Sequence, residues 1–102
     1  MEVIKIVDKA GSFAENKDIA KELRINEIMP RLSRGEKIIL DFKGISGATQ
    51  SFIHALISEP IRKHGDIVFE SMVFRSCSPS LIQVINIVAD YMEDSVSDGT
   101  TT

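Results

Sequence analysis

The segment Ile38-Ile39-Leu40-Asp41-Phe42-Lys43-Gly44-Ile45-Ser46-Gly47-Ala48-Thr49-Gln50-Ser51-Phe52 limits the fold of this chain more than any other. Lys37 to Phe42 carries a near-continuous apolar run, the pattern of a central parallel strand buried on both faces. Asp41 closes that run, two glycines turn the chain, and Thr49 stands where a helix N-cap belongs. A strand that hands over to a helix in this way places a loop and a helix N-terminus, with free backbone N–H groups, at one edge of a sheet. In open α/β sheets that edge is the usual ligand or partner site.

The remaining elements alternate around this one. Val3 to Val7 predicts a first short strand, and Gly11-Ser12-Phe13-Ala14 a connecting loop. A helix is expected from about Asn16, its N-cap, to about Met29. Its apolar residues split: Ile19, Ala20 and Leu23 share one side, whereas Ile25, Ile28, Met29 and Leu32 fall nearly opposite at about 100° per residue. Either the helix is wrapped on both sides or it breaks; Pro30 favours a kink, with Gly35 ending the segment. A second helix from Thr49 puts Phe52, Ile53, Leu56 and Ile57 on one stripe and Ser51, His54, Ser58 and Arg62 on the other side. Pro60 kinks or ends it, and His64-Gly65 closes it. A third strand is expected at Met72 to Arg75, after a less regular Asp66 to Glu70. Ser78-Pro79 opens a last helix to about Glu93, with Leu81, Ile82, Ile85, Val88, Ala89 and Met92 inward. The order βαβαβα predicts an α/β domain with a mostly parallel central sheet and right-handed crossovers. Residues 1–93 form one domain in this reading, and 94–102, which lack core-forming residues, a disordered tail.

Composition excludes several classes. With 102 residues, 43% of them hydrophobic, the chain has the makings of a single core. A net charge of −3 gives no field for nucleic acid. The local basic set Lys17, Lys21, Arg24, Arg31 and Arg34 is interleaved with Glu15, Asp18, Glu22 and Glu27, as on a solvated helix face. One cysteine, Cys77, leaves no internal disulfide and fits a reducing cytoplasm. No apolar run approaches the ~20 residues of a membrane span, and Met-Glu-Val-Ile-Lys-Ile-Val is too short and charged for a signal peptide.

Leu40-Asp41-Phe42-Lys43-Gly44-Ile45 with Thr49-Gln50-Ser51-Phe52 resembles the STAS-like family of bacterial proteins of unknown function. That family is related to STAS domains, the anti-sigma-factor antagonist and sulfate-transporter modules. Leu23-Arg24, Gly35-Glu36-Lys37 and the strand holding Phe74 extend the resemblance over roughly residues 12 to 92. It implies a STAS-type fold and a protein-binding regulatory module with an ATP-binding, kinase-like partner or another regulator. In the antagonists the equivalent helix begins Asp-Ser-Ser-Gly, and its first serine is phosphorylated. Those positions fall on Thr49, Gln50, Ser51 and Phe52. Gln50 cannot accept phosphate, so the candidate hydroxyls are Thr49 and Ser51.

Read chemically, Gly44-Ile45-Ser46-Gly47-Ala48-Thr49 can cradle an anion with its N–H groups, or it can be a plain capped turn. It lacks the Lys and Ser/Thr of a P-loop, which argues against an NTPase. Asp41 suits either a general base or, more simply, an acceptor for loop N–H groups. Ser51 and His54 lie one helical turn apart without an evident third group, so a catalytic set is not expected. His54, His64 and Cys77 share no metal-ligand spacing; neither metal nor cofactor is expected. Cys77 before a helix start can have a lowered pKa or serve as a small buried apolar group. Arg24 can bridge to an acid such as Asp41 or face a partner. On the last helix Val84, Ile87 and Tyr91 add a second apolar strip, suited to an interface, a homo-dimer among the candidates. The expected function is therefore protein docking through Gly44, Ser46, Gly47, Thr49, Gln50 and Ser51, with Arg24, Val84, Ile87 and Tyr91 as further interface candidates. Nucleotide or small-anion binding at the Gly44–Thr49 turn is the alternative.

Overall fold

Strand β3 (Ile38–Asp41) is the axis of the molecule, flanked on both sides by parallel partners. In the computed structural model, which describes the backbone of residues 1–101 and the side chains of residues 1–92, β1 (Glu2–Lys5) and β5 (Met72–Arg75) complete a sheet of order β1-β3-β5. The register aligns Val3 with Ile39 and Val73, and Ile4 with Leu40 and Phe74. The parallel sheet expected from the alternating elements is thus present.

Helices α2 (Lys17–Leu23), α3 (Met29–Ser33), α4 (Gln50–His64) and α6 (Pro79–Thr101) carry the other half of the core. Phe52, Ile53, Leu56, Ile57 and Ile61 of α4 are buried against Ile4, Ile6, Ile38, Leu40 and Phe42 from the sheet. Each such side chain stabilises by roughly 1.5–3 kcal/mol, which makes α4 the main cover of the sheet. The expected caps form: Asn16 Oδ1 accepts from Asp18 N at 2.9 Å, Thr49 Oγ from Phe52 N at 3.1 Å, and Ser78 Oγ from Leu81 N at 3.2 Å.

Several expectations are corrected. The first strand stops at Lys5, and Val7–Ala10 is a short helix, α1. Its partner β3 ends at Asp41, and once Ile6 N has bonded Asp41 O (3.0 Å) no ladder remains to extend it. Residues Phe13–Ala14 form no loop but a strand, β2, paired in parallel with β4 (Gly47–Ala48). The helix does not break at Pro30, and its irregularity lies just before that residue. A π-helical turn, Arg24–Ile28, joins α2 to α3 without a break, and Met29 N reaches back to Arg24 O. The extra residue of that wide turn shifts the phase, so Ala20, Leu23, Ile28 and Leu32 are all buried while Ile25 stays 49% exposed. Pro60 neither ends nor divides α4, and Ser58, expected on its polar side, is buried. Ile82, expected inward on α6, is exposed, whereas Leu81, Ile85, Val88 and Met92 are buried as foreseen. Residues Gly65–Ile67 and α5 (Val68–Ser71) give helical turns to the stretch expected to be irregular. The expected tail, 94–102, lies outside the residues whose side chains are described.

Candidate functional site

The turn that the sequence singles out is bound to its own chain. Ile45 N donates to Phe42 O (3.0 Å), Ser46 N and Oγ to Ser12 O (2.6 and 3.0 Å), and Thr49 N to Ala14 O (2.9 Å). The parallel β2–β4 pairing is the cause, since it lays residues 12–14 along the turn. The N–H groups of Ile45, Ser46 and Thr49 are therefore not the free donors expected. Gly44 turns the chain at φ +88°, and Gly47 lies under the Phe13 ring, where a Cβ would sit 3.0 Å from a ring carbon.

Immediately beyond the turn a groove opens, about 560 Å³ in volume. Lys17 at the start of α2, Gln50, Ser51, His54 and Ala55 on the first turns of α4, and Val88 and Tyr91 on α6 line it. His54 and Tyr91 meet edge to face, with ring centroids 6.3 Å apart. The lining offers an amide, two hydroxyls, an imidazole and an ammonium above an apolar floor, a set able to hold the polar side of a peptide and one apolar anchor. Two of the expected contact residues, Gln50 and Ser51, and one expected interface residue, Tyr91, thus come together. Lys17, His54 and Val88 join them without having been singled out for this role. Facing apolar stripes on α4 and α6 hint at the His54–Tyr91 meeting; nothing local in the sequence places Lys17 there.

The other candidates are distributed differently. Arg24 does not bridge to Asp41: its guanidinium donates to Ala55 O on α4 at 3.1 Å, bracing the floor of the groove. Val84 is half-buried against the core, while Ile87 and Tyr91 are exposed. Thr49 holds its hydroxyl in the cap to Phe52, whereas Ser51 is exposed in the groove. Ser51 and His54 both line the groove, and no hydrogen bond joins them among the described residues.

Asp41 is 6% exposed at the end of β3. It accepts from Lys43 N (3.0 Å) and from the Arg75 guanidinium (3.1 Å). The Lys43 amide first, and Arg75 next, hold its carboxyl below the usual carboxylate range, so it is an anchored anion, poorly suited to accept a proton near neutrality. The Cys77 thiol, which the sequence allowed to be lowered, is instead raised by burial and by the nearby Asp41 carboxylate. No group of three or more His, Cys, Asp or Glu suited to a metal occurs among the described residues, and no helix among them is long and apolar enough to cross a membrane.

The strand, turn and helix that position the groove fall within residues 20–81, which match the family model of the STAS-like domain of unknown function. The chain belongs to that family. No curated protein and no solved structure matches it. The STAS-like match spans the π turn, β3 and α4 and runs from Ala20 to Leu81, so Lys17, Val88 and Tyr91 complete the groove from outside the matched segment.

Proposed function

We propose that this STAS-like domain is a bacterial, cytoplasmic regulatory module that performs no catalysis and acts by docking a partner protein in the groove between α4 and α6. The supporting observation is the convergence of Gln50, Ser51, His54 and Tyr91 around one recess. A kinase-like ATP-binding protein or another regulator is the partner class that the family resemblance favours. Ser51 is the hydroxyl available for modification. Thr49 is committed to capping α4, so phosphate there would also undo the cap. Phosphate on Ser51 adds about two negative charges in the groove.

Affinity purification from the native host tests this reading with three baits: the parent chain, Tyr91→Ala and Ser51→Glu. The expected result is a partner retained by the parent and lost by both variants. Equal retention by all three overturns it. A nucleotide or small anion at the Gly44–Thr49 turn is less well supported, because three of its N–H donors already bond chain carbonyls. Saturable nucleotide binding abolished by Gly47→Asp would reverse that ranking.

A further inference from the structure

Among the described residues, the buried helical side chains gather with one face of the three-stranded sheet. Along each strand the side chains alternate between faces. Ile4 and Ile6, Ile38, Leu40 and Phe42, and Met72 point into the core and are buried. The opposite face carries Val3, Ile39 and Val73 side by side in register, with Val3 37% and Val73 41% exposed and Ile39 half-buried. Parallel sheets are rarely left open in this way, because their two faces are normally both covered. This face also lies across the sheet from the groove between α4 and α6.

Charge frames the apolar row on both sides. Two residues further along each strand stand Lys5, Asp41 and Arg75, again in register. Within that row Asp41 is the one carboxylate, and the Arg75–Asp41 ion pair (3.1 Å) neutralises it. Two residues before Ile39, Lys37 continues the alternation onto the same face, its carbonyl accepting from Glu2 N at 3.2 Å. Lys5 and Lys37 are exposed and form no salt bridge among the described residues. The face is thus basic on a chain whose net charge is −3.

We propose that this open face is a second docking surface, and that its occupant is an acidic amphipathic segment of a partner protein, an apolar ridge flanked by Asp and Glu. A ridge laid along Val3, Ile39 and Val73 meets cations on both flanks, the complementarity that selects an acidic partner and speeds its capture. A second copy of the chain fits poorly. Two stacked copies would set Lys5 and Lys37 against the same cations. Strands of four residues in a three-stranded sheet give a patch on the order of 200 Å², far below the ~800 Å² per subunit of a stable dimer. A short, weakly held segment suits such an area.

The test uses the whole isotope-labelled chain and two synthetic helical peptides with one leucine ridge, flanked by glutamates in one and lysines in the other. The glutamate peptide is expected to bind saturably, shift the methyl signals of Val3, Ile39 and Val73, and weaken with added salt. Replacing Lys5→Glu and Lys37→Glu together, both on the surface, should weaken it about tenfold and favour the lysine peptide. An unchanged melting curve shows that this variant is folded. A milder variant, Val73→Ser, should weaken both peptides. Equal binding of the two peptides, absence of shifts on this face, capture by phosphatidylserine vesicles in place of the peptide, or a dimer that buries Val73 would each overturn the proposal.

Discussion

Residues 38–64 and residues 12–33 each combine an extended piece with a helix, yet they are built on different principles. In the first, every decisive signal is local: an apolar strand, a glycine turn, a threonine cap and one apolar stripe along the 15-residue α4. In the second, the decisive partners are remote. Phe13 and Ala14 become a strand only because Gly47 and Ala48 lie beside them, and the helix keeps one buried face only by inserting a π turn. Local rules suffice where the chain organises itself; they fail where tertiary contact selects the conformation.

The largest test of that contrast is Phe52→Ala, which empties a fully buried site beneath α4. It should lower stability by about 3–5 kcal/mol, read from denaturant unfolding with an unchanged slope. A smaller loss would mean that the α4 side collapses easily. Ile28→Ala sharpens the comparison in the other region. It should lose about 2–5 kcal/mol, whereas Ile25→Ala, three residues earlier and exposed, should lose less than about 0.5 kcal/mol. An uninterrupted α-helix would place the two residues near one another on the same side, so similar losses would rule out the π turn.

Two further substitutions probe the handover itself, and a third gives the matching change in the other region. Gly44→Ala forces a Cβ into φ +88°, beside the Val7 side chain, and should lower stability by about 1–2 kcal/mol. Thr49→Ala and Asn16→Ala remove equivalent caps from the two regions and should each lower it by about 1 kcal/mol. Unequal losses would show that the helix starting at Asn16 relies more on packing than on its cap. The smallest effect concerns acid. Because the Asp41 pKa is depressed in the folded chain, the stability it contributes is fully present above about pH 4, the ordinary carboxylate value. It is lost as pH falls through the lower, folded value. Arg75→Gln should therefore flatten the acid limb of the stability profile and leave the neutral region nearly unchanged.

How far the molecule was legible follows the same division. The parallel sheet, the caps at Asn16, Thr49 and Ser78, and the stripe Phe52, Ile53, Leu56, Ile57 rest on spacing and turn chemistry that a sequence displays directly. The one-sided burial of β3 was not legible. Ile38, Ile39 and Leu40 look alike in a sequence, and only the greater exposure of its face, opposite the buried core, distinguishes Ile39 from its neighbours. At the site, Gln50 and Ser51 could be placed at a helix start, but their union with Lys17 and Tyr91 depends on how three helices cross. The role of Arg24 was hidden for a related reason: its acceptor is a backbone carbonyl, Ala55 O, and every residue except its side chain looks the same at that level.

The wide turn between α2 and α3 behaves like a dislocation in a rod. One surplus peptide is stored there, where Met29 N reaches back five residues to Arg24 O. Pro30 follows directly, and its imide nitrogen has no hydrogen to offer any carbonyl, so the ladder is already open at that point. The surplus peptide is thus lodged beside a rung the ladder never had, with Leu23 on one side of it and Leu32 on the other both seated in the core.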